Sequence, residues 1–479
     1  VMADLALGGG AILPPPEDCI YIFDEGHRLG DTAVKHFAAQ CRIDGTLNWL
    51  QRLTKQIKGQ SALFEKDKSI SELLPRVEKG ATQITELISM ARPLFQQYFD
   101  NIPDAEARYR FPHGDVGENI RDLAQQIGIL VSGWIGRIEV LEDILSEALS
   151  DKNYPVPTPD IELFYQQVGS CLSRAENLVA LWDRLKVQPA ESTVPMACWL
   201  RLDDSANGNL DIAINASPVQ AADILREQLW GQCYAAVITS ATLRSLGTFN
   251  TLKRETGMLE SALFSSVVGA FDHNKAAVLK IPSDCIEGNR VEEHTDYIIS
   301  QLSTVVEKKA GTLVLFSSRH QMQQVYDGID SDLKDIILLQ GQYSNRELVR
   351  LHRERIDQGD SSLLMGLASF AEGVDLPGDY CKHVVIAKLP FMVPDDPLHE
   401  ALSEWIEDNG GNSFFDLSLP IASLRLIQAC GRLLRTETDT GTITIFDKRL
   451  LTKRYGSQLI EALPPFRQQT ANFSNPKLS

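Results

Sequence analysis

An acidic turn directly after an apolar run is the first candidate for chemistry in this chain. Residues 19–23, Cys-Ile-Tyr-Ile-Phe, predict a short buried parallel strand, and Asp24, Glu25, Gly26 and His27 follow it. Ligands of α/β folds bind at the carboxyl ends of such strands. One carboxylate there can hold Mg²⁺ through a water molecule while its neighbour polarises an attacking water. The alternative is an ordinary charged helix start after a strand, and the four residues alone do not decide between the two.

A second candidate is a pair of arginines on a predicted helix over 421–435. Gln428, Arg432 and Arg435 lie at i, i+4 and i+7, so the spacing predicts that all three project from one helix face. Two arginines together can neutralise the charge that develops on a transferring phosphoryl group. The alternative is a solvated basic face that makes ordinary ion pairs.

A third candidate is a pair of hydroxyl residues, Ser240 and Thr242, which follow a predicted strand over 235–238. Small hydroxyl residues at a strand end can link a nucleotide site to a neighbouring surface. The more ordinary interpretation is a Ser/Thr turn that caps the next helix, and on these residues alone that interpretation is favoured.

The composition bounds the class of protein. With 479 residues, of which 43% are apolar, the chain is too long for one core and predicts several domains. Its 64 acidic and 46 basic residues give a net charge of -18, which argues against a protein that coats nucleic acid generally. A narrow basic channel remains compatible with that charge, because a local groove needs only a few cations.

The distribution of apolar residues and cysteines predicts a cytoplasmic protein without a membrane partner. No run of about 18 apolar residues occurs, and the opening residues lack the basic flank and apolar centre of a signal peptide. The eight cysteines are scattered without a C-x₂-C pair, as expected of free thiols in a reducing compartment. They suggest no zinc site.

The spacing of apolar residues along the sequence predicts an α/β chain interrupted by a helical insertion. Helical spacing over 70–99, 117–149 and 160–185 predicts long amphipathic helices, and 199–202 with 210–214 predict a hairpin. After residue 271, strands and helices alternate as in a parallel, doubly wound sheet. The tail after Pro464 is predicted to be loose. The predicted domains are a first domain over 1–41 and 216–265, the helical insertion over 42–215, and a second domain over 266–479.

Five motifs in order resemble motifs II to VI of superfamily 2 helicases: DEGH at 24–27, SAT at 240–242, FSSR at 316–319, GLASFAEGVD at 366–375 and QACGRLLR at 428–435. The helical insertion between the first two, with F-A-E-G-V-D and Q-x-x-G-R-x-x-R, is similar to the XPD/DinG branch of iron–sulfur DNA helicases. The stretches TSATLRSL, SFAEGVDLPGD and DKRLLTKRYG resemble the DinG type in particular. The resemblance runs from Val1 to Pro465 and is weakest through the insertion.

This resemblance implies an ATP-dependent DNA helicase with two RecA-like parallel-sheet motor domains, the first incomplete, and a helical arch. Implied cofactors are ATP and Mg²⁺, and implied substrates are single-stranded DNA, forks, D-loops and R-loops. It also implies 5′ to 3′ movement, a role in DNA repair and single-stranded-DNA-binding protein as a further partner.

The resemblance also implies roles for individual residues. Asp24 would hold Mg²⁺ through water, Glu25 would be the general base, and Gln428, Arg432 and Arg435 would act at the phosphates. On the nucleotide side of the cleft would lie His27, Glu372, Gly373 and Asp375. Ser240 and Thr242 would couple hydrolysis to movement. The DNA backbone would be contacted by Ser317, Arg319 and Ser369.

Two departures from the family pattern concern the start of the chain. No G-x-x-x-x-G-K-S/T phosphate loop occurs, since Gly8, Gly9 and Gly10 are not followed by Lys-Ser or Lys-Thr. The four cysteines that hold the family's 4Fe–4S iron–sulfur cluster are also missing, and scattered thiols do not replace them. We therefore expect a carboxyl-terminal fragment that alone neither hydrolyses ATP efficiently nor holds a cluster, both requiring the full-length protein.

Two other functions remain open. The first is a catalytically silent DNA-binding or partner-binding module that kept the motor shape. The second is a metal-dependent hydrolase that uses Asp24, Glu25 and His27 directly. The second is disfavoured, because adjacent acids at one strand end give too few convergent ligands for a closed metal site.

Overall fold

The structure is a computed structural model that describes residues 1–6, 9–100, 107–190, 194–204, 210–371, 373–392 and 395–471. Its strands are β1 Ile20–Phe23, β2 Ala39–Arg42, β3 Arg108–Phe111, β4 Met196–Asp204, β5 Leu210–Pro218, β6 Ala235–Ile238, β7 Ala277–Pro282, β8 Gly311–Phe316, β9 Ile337–Leu339, β10 Ser362–Leu367, β11 His383–Ile386, β12 Gly441–Ile445 and β13 Arg467–Ala471.

The helices in the first half of the chain are α1 Met2–Ala6, α2 Leu29–His36, α3 Ile43–Ser61, α4 Lys68–Gln96, α5 Glu118–Ser150, α6 Thr158–Leu185, α7 Ala222–Leu225 and α8 Asn250–Thr256. The later helices are α9 His273–Ala276, α10 Val291–Gln301, α11 Arg319–Gly328, α12 Ser331–Lys334, α13 Asn345–Asp357, α14 Ala368–Ala371, α15 Pro397–Asp408, α16 Leu419–Cys430, α17 Arg449–Thr452 and α18 Arg454–Ala462. In the described part of the chain, no helix has both the length and the apolar character needed to cross a membrane.

The chain divides into two compact units, each drawn from separate stretches of sequence. The first unit comprises Val1–Pro15, Gly30–Asp223 and Pro394–Gly410, and the second comprises Pro16–Leu29, Ile224–Val393 and Gly411–Ser479.

Long helices form the core of the first unit. Along α4 a buried residue recurs every three or four positions, as the sequence pattern predicts: Ile70, Leu74, Val77, Ala81, Ile84, Ile88, Ala91 and Phe95. Trp134 of α5 is fully buried against them and donates its indole N–H to the Val77 carbonyl at 2.9 Å. A Cβ on Gly80 would lie 2.5 Å from the Trp134 ring, so this close approach requires glycine. The predicted helices over 70–99, 117–149 and 160–185 are confirmed with small shifts at their ends.

An antiparallel sheet with strand order β2-β5-β4-β3 completes this core, and the predicted hairpin is β4 with β5. Asp211 of β5 is 2% exposed and accepts hydrogen bonds from the backbone N–H groups of Asp44 at 2.8 Å and Gly45 at 2.9 Å. These groups lie in the first turn of α3, where N–H groups have no partner within the helix. A strand residue distant in sequence therefore caps α3.

Helix α15, which comes late in the sequence, belongs to the first unit. Arg110 of β3 holds it with Nε 3.0 Å from Glu400 Oε2 and Nη1 2.8 Å from Glu404 Oε2. The backbone N–H of His113 donates to the same Glu404 oxygen at 2.7 Å. The two carboxylates of α15 thus share one largely buried guanidinium, which fixes the helix against β3.

A seven-stranded parallel sheet is the centre of the second unit, with strand order β13-β7-β12-β11-β8-β10-β9. Consecutive residues of β8 point to opposite faces, so Leu313 and Leu315 enter one apolar core while Val314 and Phe316 enter the other. Helices cover both faces, which confirms the predicted α/β class with a doubly wound sheet. The prediction of a loose tail is wrong for 467–471, because β13 pairs in parallel with β7 through backbone hydrogen bonds and so forms an edge strand of the sheet. The rest of the tail, 472–479, lies outside the described residues.

A separate two-stranded parallel sheet, β1 with β6, carries the acidic turn. The prediction of a buried strand is wrong for β1, since Ile20 is 61% and Ile22 is 72% exposed. Tyr21 points to the other face and is 7% exposed, so among the described residues β1 is covered on one side only.

A buried histidine ties the sheet of the second unit to the loop before β11. His352 of α13 lies 2.8 Å from the Ser362 hydroxyl through Nδ1 and 2.8 Å from the Tyr380 carbonyl through Nε2. Because the carbonyl can only accept, Nε2 carries a proton, and Nδ1 accepts from the hydroxyl. Burial lowers the pKa of His352 to about 4, despite the Tyr380 hydrogen bond, and the neighbouring Arg355 and Arg353 charges act in the same direction as burial.

We predict that His352 makes the stability of the chain depend on pH. Its pKa is 6.5 when unperturbed and about 4 in the fold, so the unfolded chain binds the proton more tightly and stability falls as the pH drops through this range. Between pH 7 and pH 5 this one group should lower the free energy of unfolding by about 2 kcal/mol. Urea denaturation followed by circular dichroism should show this loss in the unaltered chain and in His320→Gln, an exposed control, but not in His352→Gln. Equal pH dependence in all three proteins would contradict the prediction.

Candidate active site

The acidic turn is held against the end of β6 by its backbone. The N–H of Gly26 donates to the Thr239 carbonyl at 3.0 Å, and the N–H of Thr239 donates to the Phe23 carbonyl at 2.9 Å. A Cβ on Gly26 would lie 2.2 Å from Ile238 Cγ2, so no other residue fits without a shift. The turn after β1 and the turn after β6 are therefore locked together.

The hydroxyl of Ser240 bridges two functional side chains of this turn. It donates to Glu25 Oε2 at 3.0 Å and lies 2.8 Å from His27 Nδ1, which is itself 3.2 Å from the same Glu25 oxygen. Because the single hydroxyl proton goes to Glu25, His27 Nδ1 must carry the proton of the second hydrogen bond. Ser240 thus orients a carboxylate whose side chain is 65% exposed.

Glu25 adopts a left-handed backbone conformation, with φ 51° and ψ 39°. For a residue other than glycine this conformation costs about 1 kcal/mol, and such outliers cluster at functional sites. The contacts of Gly26 on one side and Ser240 on the other hold it in place.

Asp24 is the carboxylate best suited to a hydrated cation. It is exposed, and its Oδ1 accepts the N–H of Glu25 at 3.0 Å. Its Oδ2 makes no hydrogen bond or ion pair with any described residue. Mg²⁺ keeps most of its waters and binds proteins through one or two carboxylates, so an open carboxylate of this kind fits it.

The cysteines do not fit an iron–sulfur cluster. All eight are free thiols, and six of them are buried: Cys41, Cys171, Cys198, Cys285, Cys381 and Cys430. Within the described ranges, no three His, Cys, Asp or Glu side chains converge as metal ligands. A cluster needs four convergent thiolates, which these cysteines do not supply.

A second contact joins the turn after β6 to α16. The N–H of Thr242 donates to the Ser240 hydroxyl at 3.3 Å, and Gln428 Nε2 donates to the Thr242 hydroxyl at 3.3 Å. The structure therefore brings together Glu25, Ser240, Thr242 and Gln428, which the sequence separates by about four hundred residues.

The prediction that one helix face carries Gln428, Arg432 and Arg435 is wrong. Helix α16 ends at Cys430, and two tight turns follow, in which the N–H of Arg432 donates to the Ala429 carbonyl and that of Leu433 to the Cys430 carbonyl. The helix ends where Gly431 follows, a residue type with low helix propensity, and the two leucines after Arg432, 0% and 8% exposed, then pack into the core from the loop. Arg432 and Arg435 thus lie on a loop, each half-buried.

Arg435 is held by acids on two sides. Its Nε is 3.3 Å from Asp375 Oδ1, its Nη2 donates to the Val374 carbonyl at 3.3 Å, and its backbone N–H donates to Asp439 at 2.8 Å. Burial acts to raise the pKa of Asp439, but hydrogen bonds from Thr436 and from backbone N–H groups hold that pKa below its usual range. Sequence reasoning missed Asp439, although the pattern T-x-x-D before a strand was a signal for such a turn.

The other candidates lie apart from this cluster or outside what is described. Ser317 and Arg319 follow β8 at the carboxyl edge of the large sheet, whereas Asp439 precedes β12 at the amino edge. Gly373 is exposed, Ser369 lies in α14, and Glu372 falls outside the described residues.

Comparison with known proteins gives one matching family and several relatives. Residues 300–466 match the Helicase C-terminal domain family. The chain is 33% identical over 477 residues to the ATP-dependent DNA helicase DinG of Photobacterium profundum, covering 98% of this chain and 67% of the relative. To the protein of that name from Escherichia coli it is 32% identical over 476 residues, covering 96% of this chain and 64% of the relative. The chain thus spans about two thirds of the length of these relatives.

A solved structure shares the fold. The structure of S. tokodaii Xpd4 matches 95% of this chain and 76% of its own with a TM-score of 0.52 at 13% identity, which bears on the fold alone. The curated relatives extend the likeness to sequence, and they confirm the resemblance drawn from the motifs. Identity of a third across nearly all of its residues means that the chain belongs to the DinG family of ATP-dependent DNA helicases.

Proposed function

We propose that this chain is the motor part of an ATP-dependent DNA helicase that moves 5′ to 3′ along single-stranded DNA. The observation that carries the proposal is the series of contacts from Glu25 through Ser240 and Thr242 to Gln428. It connects an acidic turn suited to water activation with the loop that bears Arg432 and Arg435, as nucleotide hydrolysis coupled to movement requires.

In this proposal the acidic turn activates water. Glu25 is the general base, because its carboxylate is exposed, is oriented through Oε2 by Ser240, and has its second oxygen available for a water molecule. Asp24 would hold Mg²⁺ through water, and the bound ion would neutralise phosphate charge. His27, on the nucleotide side, contacts both the Ser240 hydroxyl and the Glu25 carboxylate and would keep their relative orientation fixed.

The arginine loop would stabilise the transferring phosphoryl group. Arg432 and Arg435 would supply positive charge, Gln428 would act near the γ-phosphate, and Glu372, Gly373 and Asp375 would belong to the nucleotide side, as the family resemblance implies. The ion pair of Asp375 with Arg435 makes Asp375 a positioning residue for the guanidinium. Because Ser240 and Thr242 touch both the acidic turn and Gln428, they would transmit hydrolysis into movement.

The remaining sequence candidates belong to the DNA side. Ser317, Arg319 and Ser369 would contact the backbone of single-stranded DNA. Forks, D-loops and R-loops would be unwound in DNA repair in the cytoplasm, with single-stranded-DNA-binding protein as a partner. The family membership of the chain supports this substrate class.

We also propose that activity requires residues upstream of those printed. In support, the sheet of β1 and β6 exposes Ile20, Ile22 and Val237, the last 52% exposed, and the curated relatives are longer than this chain. The longer protein would supply the phosphate loop and the ligands of a 4Fe–4S cluster. The rival is a catalytically silent DNA-binding module, for which Glu25 and the arginines have no chemical use.

We predict that Glu25→Gln removes ATP turnover while keeping ATP binding. In a protein extended upstream to the length of the relatives, DNA-stimulated turnover should fall about a hundredfold or more, because a general base contributes that much. Glu17→Gln, an exposed glutamate just before β1, is the matched control and should turn over ATP normally. The chain without the upstream extension should show little ATP turnover.

Two outcomes would contradict these statements separately. ATP turnover at a helicase-like rate by the chain without the upstream extension would contradict the need for upstream residues. Single-stranded DNA binding without turnover in either protein would favour the silent module.

We further predict that Asp375→Asn weakens nucleotide affinity about threefold, because an ion pair at this exposure is worth less than about 1 kcal/mol. The substitution preserves shape and removes the charge that holds Arg435. Asp379→Asn is the control, since Asp379 is similarly exposed and pairs with Lys382. Titration with a fluorescent ATP analogue measures both variants, and equal affinities would remove Asp375 from the site.

A further inference from the structure

A lysine with no partner among the described residues lies just after the carboxyl end of β11. Lys388 follows β11 by two residues and is half-buried. Its ammonium makes no hydrogen bond or ion pair with any residue in the described ranges. Lysines are seldom buried unless paired, so this position suggests an anion that the protein itself does not supply.

The nearest carboxylate is already fully engaged. Asp447, which follows β12, is fully buried and accepts the N–H of Leu389 at 3.0 Å together with Arg449 Nε at 2.9 Å and Arg449 Nη2 at 2.6 Å. Burial acts to raise the pKa of Asp447, but the Arg449 hydrogen bonds and charge hold it below its usual range. Asp447 therefore faces two positive charges, Arg449 and Lys388, while Glu287, which also attracts Arg449, is paired with Lys453 at 3.1 Å.

The positive charge of Arg449 affects the pKa of Lys388. Burial lowers the pKa of its ammonium, and the Arg449 charge lowers it further, against the attraction of Asp447. Gly288 packs directly against this group: its backbone N–H donates to Asp447 Oδ1 at 3.3 Å, and a Cβ there would lie 2.9 Å from Asp447 Oδ2, 3.0 Å from Arg449 Nη2 and 3.1 Å from Lys388 Cβ. A side chain at Gly288 would therefore displace Asp447 or Arg449, so this close approach requires glycine.

Aromatic rings flank the cations. The Arg449 guanidinium lies 5.3 Å from the centre of the Phe391 ring, and Phe391 lies 5.6 Å from Phe414. Phe415, whose ring is 5.2 Å from Phe414, is 54% exposed. Rings beside cations suit single-stranded nucleic acid, which presents phosphates and unstacked bases together.

The position in the sheet separates this group from the arginine loop. Lys382 and Lys388 bracket β11, so the amino edge and the carboxyl edge are about 20 Å apart at the strand rise of about 3.3 Å per residue. Arg435 bonds Asp439 at the amino edge, whereas Arg319, Lys388 and Arg449 follow the adjacent strands β8, β11 and β12 at the carboxyl edge. The phosphates of a nucleic-acid backbone that crosses this edge fit this row of cations better than the phosphates of one ATP molecule do.

We propose that Lys388 and Arg449 form a phosphate subsite for the backbone of single-stranded DNA, with Phe415 as a stacking surface for a base. Arg449 can donate through Nη1, which makes no hydrogen bond within the described part of the chain, while Asp447 fixes its Nε and Nη2. The subsite rests on the proposed helicase function and adds residues outside motifs II to VI, with Arg449 in the stretch DKRLLTKRYG at 447–456.

The test is the affinity of the unaltered chain and its variants for labelled oligothymidylate of about 20 nucleotides, longer than a typical single-strand site. Fluorescence anisotropy at several KCl concentrations gives both the affinity and its salt dependence. Lys388→Gln should lower the affinity about tenfold, as loss of a charged hydrogen bond does, and reduce the salt slope by about 0.7. Lys388→Arg should restore the salt slope.

Lys382→Gln, at the other end of β11, is the control for a general loss of positive charge and should leave affinity unchanged. Unaltered affinity and slope in Lys388→Gln, or equal losses in Lys388→Gln and Lys382→Gln, would overturn the subsite alone. Failure of the unaltered chain to bind the oligonucleotide would overturn the proposed function together with it.

Discussion

The hydroxyl of Ser240 is the contact on which the candidate site depends. Glu25 is exposed and sits in a strained backbone conformation, and among the described residues of its own turn only the His27 ring contacts its carboxylate. Ser240 supplies a further restraint from the next strand and shares it with His27. Because Thr242 then contacts Gln428, a change at the carboxylate has a physical route to the arginine loop. The glycine at position 26 allows the two turns to approach closely enough for this to happen.

The large parallel sheet carries two different groups of side chains, one at the amino ends of its strands and one at their carboxyl ends. Turns before β11 and β12 hold Arg435 between acids, and turns after β8, β11 and β12 carry cations and rings. A chain with a net charge of -18 can therefore still present a local positive surface, because a few residues at strand ends set the field there. In the first unit, Arg110 binds α15, a helix that the chain contributes between β11 and α16.

Features with a short repeat were predictable from the sequence, and features set by distant contacts were not. The spacing of apolar residues gave the long helices α4, α5 and α6, and alternation gave the parallel sheet, because burial itself imposes those periods. The helical spacing of Gln428, Arg432 and Arg435 did not show that α16 ends at Cys430 and Gly431 caps it, and the cap of α3 comes from Asp211 on a strand far along the chain. In the site, motif order indicated Glu25 and Gln428, but the hydrogen bonds that join them, and Asp439 beneath Arg435, required the fold.

The most direct measurement is a double-mutant cycle between Ser240→Ala and Gln428→Ala, read as the stimulation of ATP turnover by single-stranded DNA in the protein extended upstream. If the contacts through Thr242 couple the acidic turn to the arginine loop, the two effects should be non-additive by about 1 kcal/mol or more. Ser240→Ala with Ser317→Ala, at the carboxyl edge of the sheet, should be additive. Additivity within about 0.5 kcal/mol in the first cycle would contradict the coupling on which this account rests.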